Sequence, residues 1–147
     1  MSRFVRPQTT VLPLSNGDTI TIKTRLSSGE RRAAYNRLYL AGPDGKLRVN
    51  PLQSGLALMV EYLVDWNLTD DGEPVPIRGL TVTELESVVN SLDDESFAEI
   101  KRAIEAHELQ MAEARAAEKK SRDGSTGDAP TSPSPSVAAG VLIGSAT

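Results

Sequence analysis

Few residues of this 147-residue chain could do chemistry, and none stands in a set that a reaction requires. There is no Cys, which removes disulfides and thiolate metal sites, and the single His, His107, argues against a zinc site. His107 has Glu105 and Glu108 nearby, a setting in which an imidazole can titrate near neutrality, yet a lone His on a helix seam reads as a structural residue. Asp70 and Asp71 have the composition of a cation site, but the alternating ligands and closing Glu of a calcium loop are missing, so the pair reads as a turn. Gly29, Gly42, Gly45 and Gly55 form no nucleotide-binding fingerprint, and no Gly-Lys-Ser/Thr follows a Gly-rich loop. Without a nucleophile and base, a metal cluster or a carboxylate pair, the expectation is a non-enzymatic protein with no cofactor.

What remains is surface and charge. The net charge is −4, unevenly placed: residues 1–48 hold 9 Lys/Arg and 3 Asp/Glu (+6), residues 49–120 hold 6 and 15 (−9). Such an asymmetry orients head-to-tail self-association or recruits a charged partner, although solvated faces produce it too. The basic half lacks a compact Lys/Arg cluster with interleaved aromatics, so no nucleic acid is expected. Residues 1–7 lack the apolar core of a signal peptide, and no run of about 18 uncharged apolar residues follows, so neither secretion nor a membrane is expected.

The elements that position this surface read as follows. Residues 1–10 form a flexible arm. Residues 11–26 alternate around Ser15-Asn16-Gly17-Asp18 and predict a β-hairpin with Ile20 and Ile22 on one pleat; Pro13 makes the 11–14 limb an edge strand. Ser27-Ser28-Gly29-Glu30 has capping-box spacing and predicts a helix over 31–40, with Ala34, Tyr35, Leu38 and Ala41 inward and Arg31, Arg32 and Arg37 outward. Asp44-Gly45-Lys46 makes a turn. Asn50-Pro51 opens a helix over 51–66 carrying Leu52, Leu56, Met59, Val60, Leu63 and Trp66 on one face, broadened by Leu58, Tyr62 and Val64. A helix so apolar is either central to the core or half-buried and completed by another chain.

Thr81-Val82-Thr83-Glu84 is a second capping box, starting a short helix with Leu85, Val88, Val89 and Leu92 inward. Asp93 or Ser91 caps the last helix, where Phe97, Ile100, Ile104, His107 and Met111 recur three and four apart like a short coiled-coil seam. Residues 112–120 favour helix by propensity but offer little to bury. From Ser121 the chain turns rich in Ser, Thr, Gly and Pro, which predicts a disordered tail over 121–147, with Val141-Leu142-Ile143 either a docking peptide or part of the disorder. The expected fold is α+β, mostly α: one domain over 11–120 with an N-terminal β-hairpin and about four helices, then the tail.

The stretch Trp66-Asn67-Leu68-Thr69-Asp70-Asp71-Gly72-Glu73-Pro74-Val75-Pro76-Ile77 lies between two helix-like segments. The two Asp before Gly72 favour a tight turn, Pro74 and Pro76 hold the return limb extended, and Val75 and Ile77 can pack behind a corner anchored by Trp66. In this setting residues 20–110 resemble the tail assembly chaperones of long-tailed (siphovirus-type) bacteriophages, in which a tryptophan-ended helix precedes an acidic turn, a Pro-x-Pro-like segment and acidic helices. The resemblance implies binding to the phage tape measure protein, recruitment of the major tail tube protein, residence in the host cell cytoplasm and absence from the mature virion. It also implies a programmed frameshift near Glu118-Lys119-Lys120, whose A-rich lysine codons suit a slippery site, although two ordinary lysines at a helix end serve equally well. Partner-binding candidates are Leu56, Met59, Val60, Leu63, Trp66, Ile100, Ile104 and Met111, either for such a partner or for a homo-oligomer. The alternative is a structural virion component of the neck or tail, such as a completion or connector protein. A small DNA-binding regulator would have only the helix of Arg31 and Arg37 for recognition.

Overall fold

The computed structural model describes residues 2–126. Asn16 (φ 60°) and Gly17 (φ 76°) both adopt the left-handed conformation that a tight hairpin demands, and the flanking residues pair as β1 (Thr9–Pro13) and β2 (Thr19–Lys23). The register runs from Thr9 opposite Lys23 to Pro13 opposite Thr19, and β1 is an edge strand, as the missing Pro13 N–H requires. Pairing begins at Thr9, inside the expected arm. Ile20 and Ile22 project from β2 into the core with no exposed surface.

α1 (Ser28–Leu38) begins with the expected capping box: the Glu30 N–H donates to Ser27 Oγ at 3.2 Å, and the Ser27 N–H donates to Glu30 Oε1 at 2.8 Å. It does not reach residue 40. β3 (Tyr39–Ala41) follows at once and pairs with β4 (Leu47–Val49) across a turn in which Gly45 has φ 79°. The sequence Gly-Pro-Asp-Gly at 42–45 forces a reversal, and β-prone Tyr39 and Leu40 on its near side find partners in Val49 and Arg48.

The single helix expected over 51–66 is three elements. A 3-10 turn, Pro51–Gln53, leads to Gly55 at φ 84°; α2 (Leu56–Tyr62) follows, and the chain then extends as β5 (Leu63–Trp66). β5 pairs antiparallel with β2, completing a three-stranded sheet in the order β1-β2-β5. Ile20 faces Trp66 and Ile22 faces Leu63, so Val64 is an extra residue, a β-bulge. The bulge places Leu63 and Trp66, three apart, on the same buried face; a regular strand would put them on opposite faces.

After Trp66, Asp71 (φ 50°) and Gly72 (φ 83°) turn a two-residue hairpin between β6 (Thr69–Asp70) and β7 (Glu73–Pro74). Trp66 Nε1–H donates to the Val75 carbonyl at 2.6 Å and Ile77 is buried, so the corner forms as expected, though a strand rather than a helix ends at Trp66. α3 (Val82–Asn90) carries the second capping box, with Leu85 and Val89 buried. Asp93 caps α4 (Asp94–Thr126), accepting from the Ser96 N–H at 2.7 Å and Ser96 Oγ at 2.9 Å. α4 runs six residues beyond residue 120, where the tail was expected to begin. The rest of that tail, with Val141-Leu142-Ile143, lies outside the described residues.

The fold is therefore α+β and mostly α. By Cα proximity the chain divides into two units, Met1–Ala106 and a second beginning at His107 within α4. The first holds the sheets, α1 to α3 and the core of Ile20, Ile22, Met59, Val89, Ile100 and Ile104. In the second, His107 is buried, Met111 is half-buried and residues 112–121 are exposed.

Candidate partner-binding surface

Most residues expected to meet a partner are instead the core. Leu56, Met59, Val60, Leu63, Trp66, Ile100 and Ile104 all belong to one buried cluster, Met59 being 1% exposed. The cause is local. Gly55 breaks the helix and the bulge at Val64 turns its second half into a strand, so side chains that a straight helix would spread along a stripe converge on Ile20 and Ile22. Met111 is not a member of that cluster and is half-buried in the second unit.

The exposed apolar surface lies where none was expected. Five of the nine exposed large apolar side chains among the described residues are Tyr35, Tyr39, Leu40, Leu47 and Val49. The pairing of Tyr39 with Val49 and of Ala41 with Leu47 sets these four on one face of the β3–β4 ribbon, with Leu47 70% and Val49 60% exposed. Tyr35 and Ala41, expected inward on α1, are exposed as well. Leu40 and Arg48 occupy the opposite face. Two strands form a sheet of their own here, leaving each with an outer edge that no strand covers. The only sequence cue was the Gly-Pro-Asp-Gly reversal, because three-residue strands carry too short an alternation to detect.

Behind the ribbon, Arg37 was expected to face solvent but instead meets Glu61 of α2, Nη1 to Oε2 at 3.3 Å, with Glu61 buried. The contact is ionic without hydrogen-bond alignment: buried Arg37 Nη1 and Glu61 Oε2 have no hydrogen-bond partner. A second feature is an open groove of about 490 Å³ beside the Trp66 corner. Its floor is Trp66, Leu68, Val75, Val88 and Leu92, its rim Asp18, Asp70 and Asp93, and no Lys or Arg lines it. The hydrogen bonds from Ser96 hold the Asp93 carboxyl below the usual carboxylate range, keeping it ionised at neutral pH.

Among the described residues no group of His, Asp or Glu could hold a metal ion, and no helix is long and apolar enough to cross a membrane. Fold and surface together define a small α+β protein that exposes an apolar two-stranded ribbon beside basic residues. No family model, curated protein or solved structure matches the chain.

Proposed function

We propose that this chain is a phage tail assembly chaperone, a non-enzymatic protein that binds the tape measure protein and helps recruit tail tube subunits before leaving the finished particle. One structural observation supports it above the others: the apolar face of Tyr39, Leu47 and Val49, with Tyr35 beside it, is exposed while the other large apolar side chains among the described residues mostly close a core. A long helical client with an uncovered apolar stripe needs such a surface, supplied by a chaperone that carries net charge of its own. The likeness of residues 66–77 and the acidic helices that follow to that family supplies the identity of the client. Co-expression should raise the soluble fraction of the tape measure protein, and Leu47→Asp with Val49→Asp should abolish that gain while leaving the free chain folded.

The second reading, a neck or tail structural protein, draws on the uncovered ribbon edges, which could add a strand within a ring. Mass spectrometry of purified virions separates the two: stoichiometric recovery of this chain in rings or tubes would reject the chaperone assignment, and its absence from particles would reject the structural one.

A further inference from the structure

The groove beside Trp66 lies within the first unit and shares no residue with the β3–β4 ribbon. Its floor includes Leu68, Val75 and Leu92, which pack against the core on one side and remain half-buried. Asp18, Asp70 and Asp93 edge that floor, and none of the three forms an ion pair with another described residue. Thr69 and Asp70 of β6 line the groove as well, and β6 pairs with β7 alone, so its other edge is open to an extended chain. The floor calls for an apolar side chain, and three carboxylates without cations call for positive charge around it. In an extended segment side chains alternate, so a residue shares its face with those two positions before and after it. A large apolar residue with Lys or Arg at both positions therefore turns its anchor and both cations the same way.

We infer that the groove is a docking site for an extended segment of another protein, carrying a large apolar anchor with Lys or Arg two residues to either side. The anchor lies over Leu68, Val75 and Leu92, and the cations meet the rim of Asp18, Asp70 and Asp93. The occupant is a separate protein because this chain holds no such segment: none of its large apolar residues has Lys or Arg at both flanking positions. In β4, Leu47 and Val49 face one way and Arg48 the other, and residues 127–147 contain no Lys or Arg. The acidic rim also turns away nucleic acid and anionic lipid. This site is separate from the ribbon on which the chaperone reading draws, so either can fail without the other.

A capped probe peptide, Gly-Lys-Thr-Leu-Thr-Arg-Gly, tests the site on the full-length chain. Equilibrium dialysis reads binding, and the emission of Trp66, the only tryptophan, reads occupancy of the groove that it lines. The probe should bind saturably below about 1 mM and shift that emission. Replacing its Leu by Ser, or both cations by Glu, should weaken binding about tenfold or more, and raised salt should weaken it too. Asp70→Lys, at an exposed position, should cost about tenfold or more at an unchanged melting temperature, Asp70→Asn less, and Leu47→Asp on the ribbon nothing. No uptake of the probe, equal uptake of its Glu form, uptake without a change in Trp66 emission, or uptake that Asp70→Lys leaves intact would each overturn the proposal. A wild-type mass that rises with concentration in sedimentation, and ceases to rise in Asp70→Lys, would make a second copy the occupant and overturn it as well.

Discussion

At the scale of single residues, the Arg37–Glu61 contact is the most consequential polar feature of the core. A buried carboxylate tolerates its desolvation only while its cation is in place. Arg37→Ala should lower stability by about 3 kcal/mol in denaturant titration, the low end for breaking a buried pair because Arg37 keeps some solvent contact. Replacing both partners with Leu should recover much of that loss, since no lone charge is then left inside. Gly55 is the second such residue. Its φ of 84° disfavours any side chain, and a Cβ there would sit 2.7 Å from Lys101 Cε. Lys101 can swing aside but the backbone cannot change hand, so Gly55→Ala should reduce stability by about 1–2 kcal/mol.

At the scale of elements, the helix starts carry a common pH dependence. Hydrogen bonds from Thr81 hold the Glu84 carboxyl below its ordinary 4.5, and those from Ser96 hold Asp93 below its ordinary 3.8. Burial pushes Glu30 upward, but its contacts with Lys23 and Ser27 outweigh that and leave it lowered as well. A depressed folded value means that the stabilisation is complete above the ordinary value and is lost as pH falls through the folded one. The melting temperature should therefore be level above about pH 5 and fall below about pH 4, and Glu84→Gln should lower that plateau and flatten the slope while leaving the caps of the other helices in place. These starts were legible because a capping box is a four-residue signal with one physical meaning. β5 was not. Leu63 and Trp66 are three apart, the spacing of neighbours on a helix face, and a bulged strand brings residues at that spacing to one side too. Periodicity cannot separate the two; the pairing with β2, some 40 residues earlier in the chain, decides between them.

For the whole molecule, the same ambiguity decided how much of the binding surface could be read. Hydrophobicity marked Leu56, Met59 and Trp66 correctly as residues that must be covered, but which neighbour covers them is a tertiary fact. The exposed ribbon is written in five apolar residues that resemble any short core segment until the core is seen to close without them. Two strands with few neighbours make a marginal sheet, so amides of residues 39–49 should exchange faster in the free chain than those of β2, and binding of a client should slow them. One further property of the chain follows from Val64. Its side chain is only partly buried and has no assigned partner role, so a range of residue types should be accepted there. Removing the residue costs the bulge but not the facing: without Val64, Leu63 and Trp66 stand two apart, the spacing at which a regular strand keeps both on the buried face, opposite Ile22 and Ile20. A saturation library covering this strand should thus accept both replacement and single-codon deletion at 64 while rejecting deletion of Leu63 or Trp66, each of which removes a core side chain, which makes Val64 a residue that the ladder accommodates and the core does without.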